Sequence, residues 1–266
     1  MNDQPPAYHE AARSSATPAA VDKKAQLNQN GILPRYALLS ISWTDRIRLM
    51  RFPEPLVARV TEILEKLWTK GIQNVKSQSE GVEFKLRGTP FSHSGDEEKI
   101  AVRKLMLGIL DGLAREGWGV HPGAGGLGKI GNYSSLGEKG MDLRSVIFQP
   151  QQPQQLSWLC ISFDSQDLIH LMNAPIELAM SLIGVLEERI QTCNQDLVSG
   201  TFELKFKKNL WKKSSSEGAV QSRLVALDVL QCLESQGYSL CASVDLDHGD
   251  GGDLYQSSAD IWFCCR

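Results

Sequence analysis

Residues 81–120 lie over residues 201–240 without a gap, and this internal match constrains the fold more than any motif in the chain. Nine of the 40 aligned positions are identical: Glu83/Glu203, Lys85/Lys205, Ser94/Ser214, Glu97/Glu217, Arg103/Arg223, Leu107/Leu227, Leu110/Leu230, Leu113/Leu233 and Gly117/Gly237. Chance pairing at ordinary residue usage gives about two or three. The identities fall where a helix needs them. Ser94 with Glu97, and Ser214 with Glu217, have the Ser-x-x-Glu spacing of a capping box. Gly117 and Gly237 stand where a helix closes in the left-handed region, and each is followed by an aromatic residue, Trp118 or Tyr238. Upstream, ISWTDRIRLMRFPEPL lies over ISFDSQDLIHLMNAPIEL with two extra residues in the second copy. Downstream, SVIFQP lies over DIWFCC.

A duplicated chain must build the same unit twice. Leu38–Trp43 and Trp158–Phe163 read as first strands. Leu56, Val60, Ile63, Leu64, Leu67 and Trp68 form one apolar helical stripe, repeated by Ala179, Leu182, Ile183, Leu186 and Ile190. Val82, Phe84 and Leu86 alternate with Glu83, Lys85 and Arg87, and Phe202, Leu204 and Phe206 alternate with Glu203, Lys205 and Lys207, which is strand spacing. Second helices are expected over 97–116 and 217–236, and closing strands near 118–121, 145–149, 238–244 and 260–264. The expected fold class is α+β, a tandem duplication of a β-α-β-α-β-β unit with pseudo-twofold symmetry and helices packed on an antiparallel or mixed sheet. The expected organisation is a disordered tail over 1–34, repeats over 35–150 and 156–266, and a Pro- and Gln-rich linker over 151–155.

Composition excludes several classes. The 266 residues carry a net charge of −3, so no global field favours nucleic acid or membrane. No stretch approaches the roughly 18 apolar residues of a membrane span. The start has no basic region followed by an apolar stretch, which points away from a signal peptide and toward the cytoplasm, with the nucleus open as well. The six cysteines, Cys160, Cys193, Cys232, Cys241, Cys264 and Cys265, contain no Cys-x-x-Cys pair and leave the first 159 residues bare. They are expected to be reduced thiols, with the adjacent Cys264 and Cys265 open to lipidation.

Motifs with catalytic or cofactor chemistry are thin. Gly123, Gly125 and Gly128 spell G-x-G-x-x-G, which in a dinucleotide site lets backbone N–H groups cradle a pyrophosphate. Here Gly131, Gly137 and Gly140 break the helix that should follow, so a loop is expected. Asp245, Asp247, His248, Asp250 and Asp253 could in principle hold a cation, but Gly249 stands where a calcium loop needs an oxygen ligand and Gln256 where it needs a Glu, so an acidic turn is expected. His9, His93, His121, His170 and His248 show no metal spacing, and His170 is expected to be structural. Arg103 and Arg223, with Glu83 and Glu203, are expected as equivalent ion pairs within each repeat or as solvated surface. No catalytic, metal or cofactor-binding residue, and no cofactor, is assigned.

Two stretches suggest binding. Lys205, Lys207, Lys208, Lys212 and Lys213 surround Phe206 and Trp211, a mixture that suits an anionic membrane surface better than nucleic acid. Strand alternation alone also points Lys205 and Lys207 outward. Pro5, Pro6 and Tyr8 form Pro-Pro-Ala-Tyr, which resembles the ligand class bound by WW domains. A proline pair is already biased to the polyproline II helix, so little entropy is lost on docking. The resemblance covers four residues and implies partners such as WW-containing ubiquitin ligases. The expected function is a non-enzymatic interaction or adaptor protein with a WW-docking tail. Peripheral lipid or hydrophobic-ligand binding, and an enzyme with a site between the repeats, are the alternatives.

Overall fold

The computed structural model describes residues 34–92, 95–122, 142–196, 200–211, 216–246 and 260–266. Within these the fold is α+β, with two six-stranded antiparallel sheets and four helices. Each unit has two more strands than the expected string. Arg46 and Arg48 alternate with Ile47 and Leu49, and this segment turns back on β1 (Ala37–Ser42) as β2 (Arg46–Met50). Helix α1 (Glu54–Leu67) follows Pro53, whose fixed φ suits a helix start. Next comes β3 (Ile72–Gln78), a polar strand exposed along most of its length, so it carries no apolar period to read. Then come β4 (Gly81–Leu86), α2 (Asp96–Arg115), β5 (Trp118–Val120) and β6 (Asp142–Pro150).

The second unit repeats this order as β7 (Trp158–Asp164), β8 (Leu168–Met172), α3 (Ile176–Leu186), β9 (Ile190–Asp196), β10 (Thr201–Phe206), α4 (Ser216–Ser235), β11 (Ser239–Val244) and β12 (Ile261–Cys265). The first sheet runs β3-β4-β2-β1-β6-β5 and the second runs β9-β10-β8-β7-β12-β11, the same order. Ile190 belongs to β9, not to the preceding helix, which stops at Leu186 and continues as a 3₁₀ turn over Glu187–Arg189.

Backbone angles fix the correspondence between the copies. Trp43 and Arg51 have φ of 56° and 61°, and Ser165 and Asn173 match them at 52° and 59°. Non-glycine residues rarely adopt such values, so two matched pairs are informative. They set β1 over β7 with Ser42 on Asp164, and the length difference falls after the first helix rather than inside the first hairpin. Gly117 and Gly237 close α2 and α4 at φ 80° and 77°, as expected of a left-handed cap. The N-cap of α2 is Gly95, with no side-chain cap, and Ser94 and Ser214 of the expected boxes lie outside the described residues.

The layers are not symmetric. One face of the first sheet, with Leu39, Ile41, Ile47, Leu49, Phe84 and Phe148, packs on α1 and α2. One face of the second sheet, with Leu159, Ile161, Ile169, Leu171, Phe202 and Leu204, packs in the same way in the core with α3 and α4. The other face of the second sheet is also covered. Cys160, Met172, Ala242, Val244, Ile261 and Phe263 are buried in the core of the first unit. Helix α2 therefore lies between two sheets, and none of its residues from Lys99 to Ala114 is exposed. This gives a stack of sheet, helices, sheet, helices.

The cysteines depart from the expectation of free thiols throughout. Cys241 on β11 and Cys265 on β12 form a disulfide. Cys160, Cys232 and Cys264 are free and buried, and Cys193 is free and exposed. Among the described residues no helix is long and apolar enough to cross a membrane.

Candidate functional site

The densest chemistry lies where α2 meets the second sheet. Asp164 ends β7 and points toward α2, on the face opposite Phe163. Arg103 lies in the middle of α2, a turn beyond Lys99. The two meet as a bidentate pair: Arg103 Nη2 donates to Asp164 Oδ1 at 2.8 Å and Nη1 donates to Oδ2 at 3.0 Å. The exposure of the two side chains is 2% and 0%. The pair therefore joins the first unit to the second in the interior.

Asp164 Oδ2 also accepts from Ser162 Oγ at 2.6 Å, and His170 Nδ1 lies 2.6 Å from it. His170 Nε2 faces Glu203 Oε2 at 3.4 Å, and Asn194 Nδ2 donates to Glu203 Oε1 at 3.3 Å. Strand pairing assembles the row, since Ser162 lies opposite His170 and His170 opposite Glu203. The charges balance when His170 is protonated, because a guanidinium and an imidazolium then face two carboxylates.

The titration follows the geometry. Burial alone would push the Asp164 carboxyl up, but the Arg103 guanidinium and His170 outweigh it and hold the group well below the usual carboxylate range. For His170, burial pulls the imidazole down, and Asp164 and Glu203 overcome it to leave the pKa raised. The His170 hydrogen bond holds Glu203 low against the burial that opposes it. Cys160 and Cys264 are pushed up to about 12 by burial, so both are neutral thiols.

As chemistry, the cluster is an interlock. Ser162 Oγ donates to the carboxylate rather than to the imidazole, so the trio is not arranged as nucleophile, base and orienting acid. Both imidazole nitrogens face carboxylates. A recess beside Arg103 is lined by Pro90, Lys99, Val102, Leu246 and Ile261, mostly apolar groups at the seam of the two units. Among the described residues no group of three or more His, Cys, Asp or Glu side chains is set to hold a metal ion.

The expected ion pairs within each repeat do not form. Arg103 pairs across the units, while Arg223 is exposed and donates to Ala219 O in its own helix. Glu83 instead accepts from Arg46 Nη1 at 2.7 Å and Arg48 Nε at 2.6 Å on the outer face of the first sheet. His170 takes the position of Arg48 in the second copy, as their shared partners Glu203 and Glu83 show. Asp164 was not among the residues singled out in the sequence. The available signal was a histidine at an outward position of a strand that is otherwise apolar, Leu-Ile-His-Leu-Met.

The basic stretch is partly engaged. Lys207 Nζ donates to Glu188 O at 3.0 Å, and Lys205 and Lys208 lie on β10 and just beyond it. Trp211 is turned inward: Nε1 donates to Leu168 O at 3.0 Å and the ring meets Phe163 and Phe206 edge-on. Lys212 and Lys213, Pro5, Pro6 and Tyr8, the glycines of G-x-G-x-x-G, and Asp247, His248, Asp250 and Asp253 lie outside the described residues.

A domain-family model that carries no functional description matches residues 35–123 and 157–265. The chain belongs to that family. The first match covers the first unit from just before β1 through β5, and the second spans all of β7 to β12. The duplication seen in the residues is thus a duplication of the family domain. No curated protein and no solved structure matches the chain.

Proposed function

We propose that this family member is a non-enzymatic adaptor. The duplicated body is the scaffold, and Pro5, Pro6 and Tyr8 are the docking peptide for a WW-domain protein of the ubiquitin-ligase type. One observation carries the reading: Pro-Pro-Ala-Tyr stands outside the duplicated units, where its recognition needs no fold. The body supports it indirectly. The charged groups at the seam are engaged with one another, as expected of a part that holds two units in register. The test is titration of the full chain with an isolated WW domain, followed by calorimetry, beside the Tyr8→Ala variant. Saturable binding is expected, weakened at least tenfold by Tyr8→Ala. Equal binding by both chains, or none by either, removes the proposal.

A further inference from the structure

Among the described residues, stacking within the chain leaves α4 and the apolar part of the outer face of the first sheet without a facing layer, and they are the counterparts of two layers that meet. Helix α2 has no exposed residue between Lys99 and Ala114, because the second sheet covers it. Its counterpart α4 exposes Val220, Arg223, Leu224 and Leu227, one stripe at helical spacing. Identical residues differ in fate: Leu107 is 4% exposed and Leu227 is 59% exposed. The surface that covers α2 presents Cys160, Met172 and Phe263, which pair across β7, β8 and β12. The counterparts on the outer face of the first sheet are Leu38, Met50 and Ile147, paired in the same way and only half-buried.

We infer that a second copy of this chain covers α4. The outer face of its first sheet, at Leu38, Met50 and Ile147, lies on Val220, Leu224 and Leu227 and repeats the contact between the two units. The occupant follows from an interface the chain already makes. Such a contact is heterologous, so it extends head to tail instead of closing. The polar groups do not repeat: Ser42, 1% exposed, stands where Asp164 ends β7, and Arg46 and Arg48 stand where β8 has Leu168 and His170, so Arg223 of the adjoining copy gains no counterpart of the Arg103–Asp164 pair. Association between copies is therefore weaker than the stacking within the chain and depends on concentration.

The test is sedimentation velocity of the full chain over a range of concentrations. Leu227→Glu spoils the helix face and Met50→Glu spoils the sheet face, with thermal melts showing that each variant folds. Wild type is expected to grow in mass with concentration. Each variant alone should be monomeric, and an equimolar mixture should form a dimer that grows no further. A wild-type chain that stays monomeric at every soluble concentration overturns the inference. So does a closed dimer lost in Leu227→Glu but untouched by Met50→Glu, since that is a twofold contact of α4 with itself. If either variant fails to fold, Leu227→Ser or Met50→Ser replaces it, and growth in mass that matches wild type in both counts against the contact.

Discussion

Arg103 and Asp164 show how much depends on one pair of charges. Taking either ion out of water costs several kcal/mol, and only good geometry with further hydrogen bonds offsets that. Here the geometry is bidentate and Ser162 and His170 add their bonds to the carboxylate. Removing the arginine alone leaves a carboxylate in a dry interior. Arg103→Met should therefore lower stability by about 3–5 kcal/mol, read as a shift in the urea midpoint. The double variant Arg103→Met with Asp164→Leu should recover most of the loss, because no uncompensated charge remains. A double variant as unstable as the single one would mean that the pair contributes net stability and not mainly specificity. Identity at a matched position did not predict environment: Arg103 and Arg223 are the same residue in the same helix, and only one has a carboxylate above it.

At the scale of the element, the two helix pairs differ through two glycines. A Cβ at Gly108 would fall on the Leu67 side chain, and one at Gly112 on Ile63, so α1 and α2 approach closely only because both positions lack one. In α4 the corresponding residues are Asp228 and Cys232. Asp228 accepts from Arg189 Nη1 at 2.6 Å, so an ion pair stands where the first unit has interlocked apolar groups. Val185 is left 53% exposed, whereas its counterpart Ile63 is 7% exposed. Gly108→Val should cost about 1–3 kcal/mol by overpacking, despite the better helix propensity of the new side chain, as a fall in melting temperature would show. Unchanged or increased stability would mean that the helices can separate at that contact without loss. The helices, β1, β4 and their counterparts were legible in the sequence because each buries a periodic face, whereas the short second strands β2 and β8 were missed, although β2 alternates in the same way. The edge strands β3 and β9 were not, since all but their first residues are exposed and a strand in water has no period to display.

The whole molecule carries the seam cluster as a record of pH. Glu203 and Asp164 have folded pKa values below their unfolded ones, so their contribution is present above about pH 4 and fades as the pH falls through the folded values. His170 has the opposite sign. Its folded pKa lies above the ordinary 6.5, so its contribution is complete below about 6.5 and is lost as the pH rises through the raised value. Stability should therefore peak between these limits, and the decline on the alkaline side should be shallower in His170→Gln. Denaturation midpoints measured across pH check this, and an identical alkaline slope in both chains would assign the decline to other groups.

Duplication, the α+β class, the left-handed glycine caps and the apolar faces were written in the sequence, because each depends on residues near one another in the chain or at a fixed repeat. Which face of which unit is covered was decided by tertiary structure alone. Residues 81–120 and 201–240 specify nearly the same hairpin edge and helix, and each helix has a buried side and a side that needs a neighbour. The chain has only one second sheet to lay over a helix pair, and Asp164 directs it to Arg103. Its counterpart Arg223 is left at the surface, where nothing in its local sequence distinguishes it.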